Sequence, residues 1–122
     1  MKNARRQDVE KLTSLRCRAD FVAINTNGQR WVTPNIVLQV RSNNGRGQRL
    51  GLTVSRRVSK KATVRNRVKR RLRAAARDLV ARRGTDDTDY VIIARNRMDN
   101  VSYRQLCSDL KWCLKRLECL EG

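Results

Sequence analysis

Apolar and polar positions change period several times along the 122-residue chain, and each change marks an expected element. The clearest alternation is in "RLGLTVSRR". There Leu50, Leu52 and Val54 share one face and Gly51, Thr53 and Ser55 the other, as in a half-buried strand. "NIVLQVR" (Asn35 to Arg41) follows Pro34 and is rich in branched aliphatics, which predicts another strand. The polar "SNNGRGQ" between them carries two glycines, as a hairpin connection requires. "YVIIAR" is too short for a helix and reads as a buried strand.

Two stretches have helical period instead. At about 100° per residue, Val64, Val68, Leu72, Ala75 and Leu79 form one stripe, with Arg70 opposite its centre. Gly84 is the expected C-cap of that helix, and "TDDTD" a solvated acidic loop beyond it. Ser102 to Leu120 make a last helix. Ser102 and Gln105 have capping-box spacing, Val101 and Leu106 form a hydrophobic staple, and Tyr103, Leu106, Leu110, Cys113, Leu114 and Leu117 make its apolar stripe. Near the start, "KLTSLRCRADF" predicts a short helix or helical turn leading into Phe21, with Leu12, Leu15 and Ala19 at helical spacing. "FVAI" prolongs it, and Gly28 supplies a turn. The order is helix, two or three strands, helix, strand, helix: an α+β or α/β sandwich with helices covering a small sheet, its strand order left open.

Length allows one domain, here 11–122, preceded by a flexible basic arm over 1–10. No apolar segment follows the basic start and the longest apolar run is "YVIIA", so no membrane association and a cytoplasmic location are expected. Cys17, Cys107, Cys113 and Cys119 form no CxxC pair and read as reduced, partly buried thiols. With no His in the chain, the usual zinc site and the usual general base are both missing. Asp86, Asp87 and Asp89 are closely spaced, but loop acids beside a strand read as solvent-exposed rather than as a metal site.

Charge changes the picture most. Lys and Arg number 29 against 11 Asp and Glu, a net charge of +18. No acid lies between Asp20 and Asp78, an interval that holds fifteen Lys and Arg. Seven of these fall in the thirteen residues from Arg65 to Arg77. A solvated helix face normally pairs acids with bases at i,i+4, whereas here Arg67/Arg71 and Lys69/Arg73 repel. Such a surface calls for a polyanion, nucleic acid first and an anionic membrane second. The excess of Arg suits phosphate, because a guanidinium donates two parallel hydrogen bonds. RNA is not separated from DNA by this argument.

The residues themselves go further. "RLGLTVSRRVSKKATVRNRVKRRLRAAAR" closely resembles the signature region of the bacterial ribonuclease P protein subunit family. There a "GLTVS"-like strand, two basic residues and a short loop precede "RNRxKRxxR" at the opening of a helix. "LRCRADF" is similar to the family's N-terminal "LrxxxdF" segment and "DYVIIAR" to its last strand. The likeness runs from Leu12 to Arg97, and the last helix fits less specifically.

The resemblance implies a compact α-β sandwich, with a small, mostly antiparallel sheet covered by helices and a left-handed β-α-β crossover. It implies an endoribonuclease subunit that is not itself the catalyst. A catalytic RNA subunit, holding most of the Mg2+, hydrolyses one bond of precursor tRNA to remove the 5′ leader. By the same resemblance Arg65, Asn66, Arg67, Lys69, Arg70, Arg71 and Arg73 would contact the catalytic RNA. Phe21, Arg56, Arg57, Lys60 and Lys61 would border the leader cleft, with Phe21 stacking on a base or serving as core. No catalytic and no metal-ligating residue is expected in the chain. Asn25 stands where a second aromatic is common, and Ser59 to Lys61 where some members have Gly-Asn. The alternatives are a structural RNA-binding protein such as a small ribosomal protein, then a DNA-binding regulator, then a stand-alone nuclease.

Overall fold

Strand β1 (Thr13–Ser14), helix α1 (Arg18–Asn27), strands β2 (Gln29–Val32), β3 (Ile36–Ser42) and β4 (Arg49–Thr53), helix α2 (Ala62–Arg83), strand β5 (Thr88–Ala94), a 3-10 turn (Met98–Asn100) and helix α3 (Tyr103–Arg116) succeed one another along the chain. The computed structural model describes residues 12–95 and 98–120, apart from the side chain of Asp99; the basic arm expected over 1–10 lies outside the described residues.

The strands form one mixed sheet in the order β1-β4-β5-β3-β2. The antiparallel ladders, β2–β3 and β3–β5, carry most of the register, the longer running from Ile36 opposite Ala94 to Ser42 opposite Thr88. β1 and β5 flank β4 in parallel, so α2 is the crossover of a β4–α2–β5 unit. The expected α+β sandwich is present.

Both faces of the central strands are covered, which is why "NIVLQV" and "YVIIA" are nearly continuous apolar runs. On one face Ile36, Leu38, Tyr90 and Ile92 pack with Val68, Leu72 and Ala75 of α2 and Leu106, Leu110 and Leu114 of α3. On the other, Leu15, Ile24 and Val91 bury with help from Phe21 and Ile93.

Two local expectations are corrected. The segment from Leu12 to Cys17 is not helical: Thr13–Ser14 is an edge strand, with Leu15 N donating to Leu50 O at 2.9 Å, and the helix begins at Arg18. The helical spacing of Leu12, Leu15 and Ala19 is coincidental, since Leu15 is buried and Ala19 exposed. "SNNGRGQ" is not a hairpin connection, because β5 lies between β3 and β4. The loop instead straddles the start of β5: Asn43 N donates to Asp87 O at 2.9 Å and Gly47 N to Asp87 Oδ1 at 2.9 Å. Gly84 is the C-cap of α2 as expected, with an ordinary φ of −76° and its N donating to Val80 O at 2.8 Å. The buried Gln48 completes that end, its Nε2 donating to Val80 O at 2.9 Å and Gly84 O at 3.0 Å.

Candidate nucleic-acid interface

Helix α2 sets out the basic side chains. Val68, Leu72, Ala75, Ala76 and Val80 bury one side, so the cations are driven to the rest of the circumference. Its first turn holds no acid, and its N-cap Lys61 makes no side-chain capping bond. The positive end of the helix dipole therefore coincides with Arg65 and Arg67, an arrangement an anion relieves.

The structure divides the seven expected contact residues. Arg65 folds back onto the preceding loop, Nη1 donating to Ser59 O at 3.0 Å and Lys60 O at 2.9 Å. Arg71 is tied to the start of α3, its Nη2 donating to Val101 O. Asn66, Arg67, Arg70 and Arg73 are exposed and Lys69 is half-buried. The outward groups lie on two flanks. Lys69, Arg73 and Arg77 line a groove of about 290 Å³ with Phe21, Gly51 and Leu52. Arg67, Arg70 and Arg71 line another, of about 400 Å³, with Ala74 and Tyr103.

Phe21, in the first turn of α1, is half-buried over β4. Gly51 makes room for it: a Cβ there would stand 2.6 Å from Phe21 Cε1 and Cζ. The ring is thus both a packing element and a wall of the first groove. Arg56, Arg57 and Lys60 lie apart from it, in a separate hollow of about 530 Å³ shared with Arg65. Lys61 is exposed just before α2 and lines neither the Phe21 groove nor this hollow. So Phe21 is grouped with the flank of α2, not with the strand-end cations. At Asn25 a polar pair bridges α1 and β3, the Oδ1 accepting from Gln39 Nε2 at 3.3 Å.

Two groups escape the sequence pattern. Tyr103, assigned by its spacing to the apolar stripe of α3, is 38 % exposed, and its hydroxyl donates to Asp78 at 3.3 Å beside Arg70 and Arg71. Burial pushes that hydroxyl's pKa well up, so it remains a donor. Asp89, expected in solvent, is 1 % exposed, accepting from Arg49 Nε at 2.6 Å and Nη2 at 2.7 Å. Arg49 also reaches Asp20 at 3.3 Å, and Arg46 reaches it at 3.8 Å. The fold therefore commits two carboxylates to Arg46 and Arg49. Among the described residues no ion pair neutralises Arg67, Lys69, Arg70, Arg73 or Arg77.

Fold and site together define a class: a small α+β protein whose crossover helix offers unneutralised guanidinium groups on two flanks, each beside an aromatic ring, as a nucleic-acid strand requires. The family model for Ribonuclease P matches residues 9–118. The chain is 37% identical over 107 residues to the ribonuclease P protein component of Erythrobacter litoralis, covering 88% of this chain and 87% of that one. It is 34% identical over 113 residues to that of Shouchella clausii, covering 92% and 91%. The solved RNase P protein of Thermotoga maritima superposes with a TM-score of 0.74 at 31% identity, covering 89% of this chain and 98% of that one. That of Staphylococcus aureus does so at 0.77 and 25%, covering 88% and 97%. The chain belongs to the ribonuclease P protein family.

Proposed function

We propose that this chain works inside a ribonuclease P holoenzyme, gripping the catalytic RNA with α2 and holding the 5′ leader of precursor tRNA in the Phe21 groove. The observation that carries this is the placing of Phe21 with Lys69, Arg73 and Arg77 in one groove, against Arg67 and Arg70 on the opposite flank. One flank suits a single strand, whose bases stack while its phosphates meet cations. The other suits a folded RNA backbone, where Arg67, Arg70 and the Tyr103 hydroxyl donate to phosphate or ribose. Arg56, Arg57, Lys60 and Lys61 extend the positive surface along the leader's path.

Hydrolysis belongs to the RNA subunit, where Mg2+ supplies the chemistry. Among the described residues no three His, Cys, Asp or Glu side chains converge. The chain's part is to bind, orient and screen. Neutralising clustered phosphates lowers the concentration of Mg2+ the RNA needs.

The test is cleavage of precursor tRNA at low Mg2+ by a bacterial ribonuclease P RNA with and without this protein. Cleavage at the mature 5′ end only when both are present is the expected result. Binding without any gain in rate, across several RNA partners, would instead assign the chain a purely structural RNA-binding role.

A further inference from the structure

Both tryptophans of the chain lie in one place, remote from the Phe21 groove. Trp31 is on β2, the edge strand opposite β1. Trp112 is on α3 and 50 % exposed. Between them lies Arg116, its guanidinium carbon 4.7 Å from the Trp31 ring centroid and 5.7 Å from that of Trp112. Packing does not require this arrangement of Trp112. The core side of α3 is complete with Leu106, Leu110, Cys113 and Leu114, and Trp112 joins neither hydrophobic cluster.

The surroundings say what kind of partner fits. Lys111 and Lys115 flank Trp112 on the same exposed side of the helix. The nearest acid within α3, Asp109, is already committed, one oxygen accepting from Asn35 at 2.6 Å and the other from Gln105 at 2.9 Å. Glu118 lies beyond the helix end. An exposed indole backed by a guanidinium and bordered by two ammonium groups matches an unpaired nucleobase with its phosphates. An acidic protein would satisfy the charges but leave the indole face without a purpose.

Position selects the source. α2 and α3 pack side by side on one face of the sheet, and Tyr103 at the start of α3 already borders the Arg67–Arg70 groove. Trp112 lies nine residues beyond Tyr103 on α3, about 14 Å along the helix axis, within the span of an RNA lying on that groove. The leader groove lies at the far edge of the sheet. We infer that the Trp112–Arg116–Trp31 stack is a second docking point for the catalytic RNA, taking one unpaired base of it on the open face of Trp112. This rests on α2 gripping that RNA.

The two claims are separable because intrinsic tryptophan fluorescence reports on this patch alone. A bacterial ribonuclease P RNA is titrated into the full chain, with filter binding as an independent measure. Tryptophan emission should be quenched as the complex forms. Trp112→Ala should weaken binding by about tenfold, and Trp112→Phe should recover most of the loss. Arg67→Ala with Arg70→Ala should weaken binding but leave the quench at saturation unchanged. Complex formation without quenching, or unchanged affinity in Trp112→Ala, overturns the inference. A concentration-dependent dimer abolished by Trp112→Ala, with RNA affinity unaffected, overturns it in favour of self-association. If the RNA binds no variant, the reading of α2 fails, and oligoadenylate then judges the patch: no quench with it overturns the stack as a base platform.

Discussion

Arg49 holds both oxygens of Asp89 while Asn43 Nδ2 donates to the same carboxylate at 2.8 Å, so three elements meet on one buried acid. Removing one partner of such a pair strands the other's charge. Asp89→Ala should therefore cost about 3 kcal/mol, the low end of the usual range because Arg49 keeps some access to solvent. A urea titration reads this directly, and an unchanged midpoint would show the pair to be energetically neutral. Gly51 seats the Phe21 ring by having no side chain. In Gly51→Ala the new methyl meets the Phe21 ring at 2.6 Å, and overpacking of this kind costs about 1–3 kcal/mol. The ring must shift, so affinity for precursor tRNA should fall more than affinity for mature tRNA, as in Phe21→Ala. Equal losses for both RNAs would leave Phe21 as core only. Neither position is legible in the sequence: Asp89 looks like a loop acid and Gly51 like a small residue on a solvated face, because each partner comes from a distant segment.

At the scale of elements, α2 is the most legible part of the chain. Its apolar stripe at Val68, Leu72 and Ala75 is buried, and its cations cover the remainder. The period alone determines this, since burying one side of a helix is a local geometric matter. Arg67→Ala with Arg70→Ala should leave thermal unfolding unchanged and weaken binding of the catalytic RNA by about tenfold or more. The slope of log affinity on log salt should fall by about one for each phosphate the variant no longer neutralises. Unchanged affinity at moderate salt would count against α2 as the grip. The cap of α3 is legible too: Ser102 Oγ accepts from Gln105 N at 3.1 Å. The Gln105 side chain, however, turns to Asp109 instead of completing the box. Strand β1 and the start of α1 are not legible, because a two-residue edge strand has too few positions to show a period.

For the whole molecule, burial on both faces of the sheet controls the acidities of its interior groups. Burial pushes the Cys113 thiol from its ordinary value near 9 up to about 12, and raises the Tyr90 hydroxyl likewise. Both are neutral when folded and ionise more readily when unfolded. Their contribution to stability is thus complete below about pH 9 and is lost as pH rises toward 12. Urea midpoints should hold from neutrality to about pH 9 and then decline, less steeply in Cys113→Ala; a flat profile would contradict the buried, neutral thiol.

What the sequence determined by itself is what short-range physics controls: the amphipathic helices, the buried strands, the excess of positive charge over an uninterrupted interval, and the signature from "GLTVS" through "RNR". The first three follow from periodicity and composition and the last from a resemblance in residue order, none of which needs knowledge of distant neighbours. Tertiary structure alone decided the rest. It inserted β5 between β3 and β4, turned an apparent hairpin loop into a brace over Asp87 and Asp89, and set Phe21 against Lys69, Arg73 and Arg77 rather than the strand-end cations. It also gathered Trp31, Trp112 and Arg116 from two elements into one stack. Each of these joins residues far apart in the chain, and strand order, which no local pattern encodes, is what brings them together.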